Sequence, residues 1–126
     1  KKLTLILLLL ISTTCWGEWT KVAEGTSDTD WYIDFERIKK KGEYIYYWVM
    51  MDTSEPDAGG YISNMRYEMG DCEMFRKKTL RARAYRQAMG EGESLSIPES
   101  ALPEQGWNHP PLDSPVEWIL KAACGQ

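Results

Sequence analysis

The segment that most constrains this chain runs from Glu43 to Asp52 and reads Glu-Tyr-Ile-Tyr-Tyr-Trp-Val-Met-Met-Asp. Aromatic and β-branched side chains fit the pleated surface of a strand, so the run is read as one. Successive side chains of a strand point to opposite faces. Tyr44, Tyr46, Trp48 and Met50 therefore share one face, and Ile45, Tyr47, Val49 and Met51 share the other. Both faces are apolar, which predicts a central strand covered on both sides.

The flanking sequence supplies its partners. Trp19 to Ala23 reads as a short first strand and Trp31 to Phe35 as a second. Asp34 then suits the N-cap of one helical turn through Ile38, with Lys39-Lys40-Lys41-Gly42 ending it at a glycine. Pro56 to Gly60 is a turn. Tyr61 to Cys72 alternates, with Tyr61, Met65, Tyr67 and Met69 on one face and Asn64, Arg66 and Glu68 on the other. A further long strand covers roughly Glu73 to Met89, and its middle alternates Leu80, Ala82 and Ala84 with Arg81, Arg83 and Tyr85. Gly90-Glu91-Gly92 turns the chain, and Leu95 to Ile97 can add a short strand. Residues 98–112 carry Pro98, Pro103, Pro110 and Pro111, which deprive any ladder of backbone donors, and read as a surface loop pinned by Trp107.

The end of the chain is helical. Ser114-Pro115-Val116-Glu117 forms a capping box with proline at the first helical position. Val116, Ile119, Leu120, Ala123 and Cys124 then fall on one face, with Glu117 and Lys121 as an i,i+4 pair on the other side. A helix this short is not stable alone and must dock on the sheet. Ala82 and Ala84 offer a low surface for it. The fold class expected is therefore α+β: an antiparallel sheet of about five to six strands with one C-terminal helix packed on it.

Residues 1–17 read as a signal peptide. Lys1 and Lys2 precede an apolar run from Leu3 to Ile11, followed by the polar Ser12-Thr13-Thr14. The run is about half the roughly 20 residues that a spanning helix needs. The expected cut follows Gly17, leaving residues 18–126 as a single domain. The alternative is a lipoprotein cut before Cys15, although Thr14 and Ser12 depart from the small and aliphatic residues that cut prefers. Of the three cysteines, Cys15, Cys72 and Cys124, the first cut removes one and leaves an even number in an oxidising compartment. A Cys72–Cys124 disulfide would tie the terminal helix to the sheet. Two buried free thiols are the other reading.

Chemistry is sparse. The lone histidine, His109, lies in a proline-rich loop, and neither a second histidine nor a Cys-x-x-Cys pair accompanies it to build a zinc site. Asp52, Glu55 and Asp57 lack the spacing of a calcium loop. Gly59, Gly60, Gly90 and Gly92 read as turns and not as a phosphate loop. No catalytic residue, cofactor or metal is expected. The formal net charge of −4 argues against a nucleic-acid binder. Against that acidic background Arg76, Lys77, Lys78, Arg81, Arg83 and Arg86 crowd into one segment. They form a candidate patch for an anionic partner such as lipid A phosphates, a glycan or an acidic protein face. The bland reading is a solvated strand face paired to Glu68 and Glu73.

Three stretches carry a family resemblance. They are Tyr32-Ile33-Asp34 through Lys40-Lys41-Gly42 to Tyr46-Tyr47-Trp48; Gly70-Asp71-Cys72-Glu73-Met74-Phe75-Arg76; and Pro111 through Ser114 to Ile119-Leu120 and Cys124. In these the chain resembles the bacterial surface-adhesin protein E family of small exported domains. The resemblance implies an antiparallel sheet with a C-terminal helix, a periplasmic or surface location, scope for a homodimer, and binding in place of catalysis. It also marks Cys72 and Cys124 as structural positions. The expected function is that of an exported, adhesin-like binding module with a protein or glycan partner. The alternative is a periplasmic accessory protein that supports an envelope complex without host binding.

Overall fold

The structure, a computed structural model, describes residues 18–25, 28–102 and 104–126. Residues 1–17, which read as a signal peptide, and Cys15 among them, lie outside the described residues. Among the described residues seven strands form one antiparallel sheet: β1 (Thr20–Glu24), β2 (Thr29–Ile33), β3 (Lys39–Lys41), β4 (Tyr44–Thr53), β5 (Ser63–Asp71), β6 (Arg76–Gln87) and β7 (Glu91–Ile97). Their order is β1-β2-β4-β5-β6-β7, and β3 pairs with β4 beyond the end of β2. Among the described residues one α-helix, α1 (Pro115–Cys124), follows the sheet. The fold is α+β, as the sequence pattern implied. Among the described residues no helix is long and apolar enough to cross a membrane.

β4 occupies the centre, but its two faces have different fates. Ile45, Tyr47 and Val49 are buried beneath α1 with Ile33, Ile119, Leu120 and Ala123, and this cluster is the core. Tyr44, Tyr46 and Trp48, on the opposite face, are only half-buried. Among the described residues no second layer covers them along their length, contrary to the expectation from their apolar character.

The helix begins as its sequence dictates. Ser114 Oγ accepts from the Glu117 amide at 3.2 Å, and Glu117 reaches back to accept from the Asp113 amide at 2.9 Å. Glu117 is thereby buried, and not on the solvent side where its spacing to Lys121 had placed it. α1 lies over β1, β2, β4 and β5, so Ala82 and Ala84 on β6 are not its seat. The low point it uses is Gly70. A Cβ there would stand 3.0 Å from Leu120 Cδ1 and 3.1 Å from both Ile45 and Tyr47, so glycine is what allows the helix to approach.

The triple lysine is also corrected. Asp34 caps a short 3-10 turn, Phe35–Arg37. Lys39–Lys41 then forms a strand instead of ending the turn. Gly42, with φ 62°, takes the first position of the two-residue hairpin turn that returns the chain into β4, a position that suits glycine.

Candidate functional site

The face of the sheet opposite α1 is the candidate site. Its floor is laid by β4 and β5, where Tyr46 pairs with Met69, Trp48 with Tyr67 and Met50 with Met65. Residues directly opposite in an antiparallel pair share a face, so these side chains form one surface. The Trp48 and Tyr67 rings lie 4.8 Å apart, and Tyr46 stacks on Tyr67 at 6.1 Å. At one end Trp107, from the loop before α1, folds against Tyr44 at 5.2 Å. Backbone bonds between Asn108 and Lys77, of 2.8 and 2.9 Å, hold that loop to the edge of β6.

Cations border this floor on both sides. On the β3 side, Lys39 and Lys41 stand opposite Tyr46 and Tyr44, and Lys41 Nζ lies 5.5 Å from the Tyr46 ring. Arg37 joins them. The fully buried Asp34 accepts from its Nε at 2.6 Å, which aims the guanidinium at Trp48, 5.6 Å away, and Trp19, 6.0 Å away. On the β6 side, Arg76 and Lys78 flank Trp107 at 4.5 and 5.1 Å. Arg81 lies 4.7 Å from Tyr67 and 5.6 Å from Trp48, and Arg83 stands opposite Met65. Such cation–aromatic contacts contribute about 0.5–1 kcal/mol each at exposed sites. They hold the long side chains over the rings.

A register shift in β6 creates this arrangement. Tyr67 pairs with Arg81 but Glu68 pairs with Thr79, which leaves Leu80 as an extra residue. A bulge of this kind changes the phase of the side chains beyond it. Arg76 and Lys78 before the bulge, and Arg81 and Arg83 after it, therefore face the same way. The six cations singled out in the sequence are thus divided. Lys77 is turned to the helix side and buried, with Nζ 3.4 Å from Glu68 and 3.5 Å from Glu104. Arg86 is tied to the Gly59 carbonyl at 3.1 Å and to Glu93 at 3.3 Å. The other four share the open face with three cations that the sequence reading passed over: Arg37, Lys39 and Lys41. The signal for the two lysines was the Gly42-Glu43 pair ahead of an aromatic run, which is a hairpin signal.

Two of the carboxylates nearest this face are committed to structure. Asp34 holds Arg37. Asp71 accepts from the Glu73 and Met74 amides at 3.1 Å each and from Arg76 Nε at 3.0 Å. The Met74 N–H, followed by Arg76, pulls the Asp71 carboxyl below its ordinary range. Among the described residues, Lys39, Lys41, Lys78, Arg81 and Arg83 form no ion pair. Two adjoining open troughs extend the floor: one of about 290 Å³ bounded by Arg37, Trp48, Arg81 and Arg83, the other of about 480 Å³ bounded by Trp19, Tyr85 and Gly90. His109 is exposed, with Nδ1 3.2 Å from the Phe75 carbonyl oxygen. Among the described residues no cluster of three His, Cys, Asp or Glu side chains is placed to hold a metal ion.

The turn that Asp71 organises also presents Cys72 to the end of α1. Cys72 and Cys124 form a disulfide with a Cα–Cα distance of 5.7 Å. Of the two readings left by the sequence, the structure takes the bridge.

These features define a small disulfide-tied α+β domain in which a helix closes one face of the sheet and the other stays open. The chain belongs to the Surface-adhesin protein E family, whose pattern it matches over residues 19–125. Crystal structures of Haemophilus influenzae protein E share the fold. One is 13% identical with a TM-score of 0.61, covering 93% of this chain and 91% of that one. A selenomethionine form is 14% identical with a TM-score of 0.64, covering 94% of each chain. No curated protein matches the chain.

Proposed function

We propose that this chain is an exported, non-catalytic binding module of the bacterial envelope or cell surface, and that the open face of its sheet is where it binds. The observation that carries this reading is the pairing of half-exposed aromatic rings with a set of seven cations, five of which have no acidic partner among the described residues. Aromatic and arginine side chains dominate the energetics of protein recognition, and here they gather on the one face that α1 leaves free. The family description as a surface adhesin supports an extracytoplasmic role. The signal-like segment at residues 1–17 and the disulfide support it too, since disulfides persist in oxidising compartments.

The test is retention of partners by immobilised domain from host-matrix extract and from envelope extract. Trp48→Ala/Tyr67→Ala removes the centre of the floor without touching the core under α1. We expect this variant to lose its partner by about tenfold or more, the scale of one or two hot-spot side chains. Equal retention by the wild type and a folded variant would refute the open face as the site. The extract that supplies the partner separates adhesion from an accessory role in the envelope.

A further inference from the structure

The geometry points to a linear acidic glycan, its sulfate or carboxylate groups held by the two cationic borders and its sugar rings stacked on the aromatic floor, as the occupant of the open face. This rests on the binding reading above and specifies its ligand.

The arrangement of charge is the first argument. The protein is net acidic at −4, yet Arg37, Lys39, Lys41, Arg76, Lys78, Arg81 and Arg83 all line one face. Charge segregated in this way steers an anion to that face. β3 and β6 are three strand spacings apart, or roughly 14 Å. At the backbone the borders are therefore separate and parallel, with Arg37 and Arg81 reaching in from either side to 5.6 Å from the Trp48 ring, an arrangement suited to a chain bearing anionic groups along both sides.

The floor is the second argument. Tyr46, Trp48 and Tyr67 lie half-buried, with the Tyr67 ring in contact with the other two. The long side chains of Lys41, Arg37 and Arg81 lie over them, so a sugar ring reaches the aromatic surface between or in place of those side chains. The troughs beside it are open, so a polymer can run through them. An acidic peptide is the weaker fit. An extended peptide gains affinity mainly by adding to a sheet edge, and this site is the middle of a sheet. A second copy fits worse still, because it would set seven cations against seven like charges.

Adjacent lysines supply the test. Lys41 faces Tyr44 on the open side, whereas Lys40 stands opposite Ile45 and so faces the helix side. Both are exposed. Lys40→Glu and Lys41→Glu therefore change net charge equally and differ only in face. The probe is a sulfated heparin fragment, compared with the same fragment desulfated and with polyglutamate. We expect the full domain to bind the sulfated fragment with an affinity that falls as salt rises. Lys41→Glu and Arg81→Glu should each weaken it by about tenfold, and Lys40→Glu by less than about twofold. Near-UV circular dichroism checks that each variant is folded.

Equal losses for the two lysines would overturn the proposal, as the attraction would then be unspecific. Polyglutamate binding as tightly as the glycan, or a dimer in solution that Lys41→Glu dissociates, would overturn it in favour of an acidic protein or a second copy. Absence of glycan binding combined with Trp48- and Tyr67-dependent retention of a protein would defeat the glycan and leave the binding reading intact.

Discussion

Replacing both bridged cysteines, as Cys72→Ala/Cys124→Ala, is expected to lower the stability of the domain by roughly 4 kcal/mol. The two residues are separated by 52 positions, and cross-linking a loop of that length removes much chain entropy from the unfolded state, on a model-dependent account. For a chain near 100 residues, each kcal/mol moves the melting temperature by about 4–8 °C. The drop should therefore be on the order of 15–30 °C, read by thermal unfolding with and without reductant. Wild-type protein under reducing conditions should behave like the variant. The effect is large for a reason of position as well as length. Cys72 lies in the turn between β5 and β6, and Cys124 ends α1, so the bridge anchors the element that forms the lid of the core. A melting temperature unmoved by reductant would show that α1 docks without help from the bridge.

The second large effect concerns the place where α1 meets the sheet. Leu120 is fully buried, and Leu120→Ala should cost about 2–5 kcal/mol through lost transfer energy and the cavity left behind. Gly70→Ala acts in the opposite sense. Its Cβ would stand 3.0 Å from Leu120 Cδ1, which forces the helix or the strand to move and should cost about 1–3 kcal/mol. Because the two atoms compete for one space, the double variant should lose less than the sum of the single losses. Denaturant unfolding of the four proteins decides this. Strict additivity would mean that Gly70 and Leu120 do not share the contact.

These two sites show how differently the parts of the fold could be read from the chain. The helix was legible because its signals are local: Ser114, Pro115 and Glu117 at its start and an apolar face at helical spacing. β4 was legible because it is a long run of aromatic and β-branched side chains, the types that fit a strand. The seat of the helix was not, because Gly70 has no side chain to advertise a contact that depends on β4, β5 and α1 meeting in space. β3 was missed because three lysines resemble a helix end as much as an edge strand, and the hairpin with β4 decides between them.

The open face was legible only in part. The basic segment drew attention by composition, but composition cannot show a bulge. Without the extra residue at Leu80, the odd-numbered Lys77, Arg81 and Arg83 would share a face. With it, Lys77 goes under the domain to meet Glu68, and Arg81 and Arg83 join Arg76 and Lys78. The apolar character of Tyr44, Tyr46 and Trp48 suggested cover by a second layer. What borders them instead is a set of arginine and lysine side chains, whose apolar stems lie along rings while their charged heads stay in water.

The most direct measurement for the open face as binding surface is site-resolved photo-cross-linking in cells that produce the protein. A photoreactive residue replaces Tyr46 on the open face in one strain and Trp118 on the exposed side of α1 in another. The account predicts a discrete cross-linked partner from position 46, lost when Arg81→Glu is added, and none from position 118. Cross-linking from position 118 with none from position 46 would contradict it.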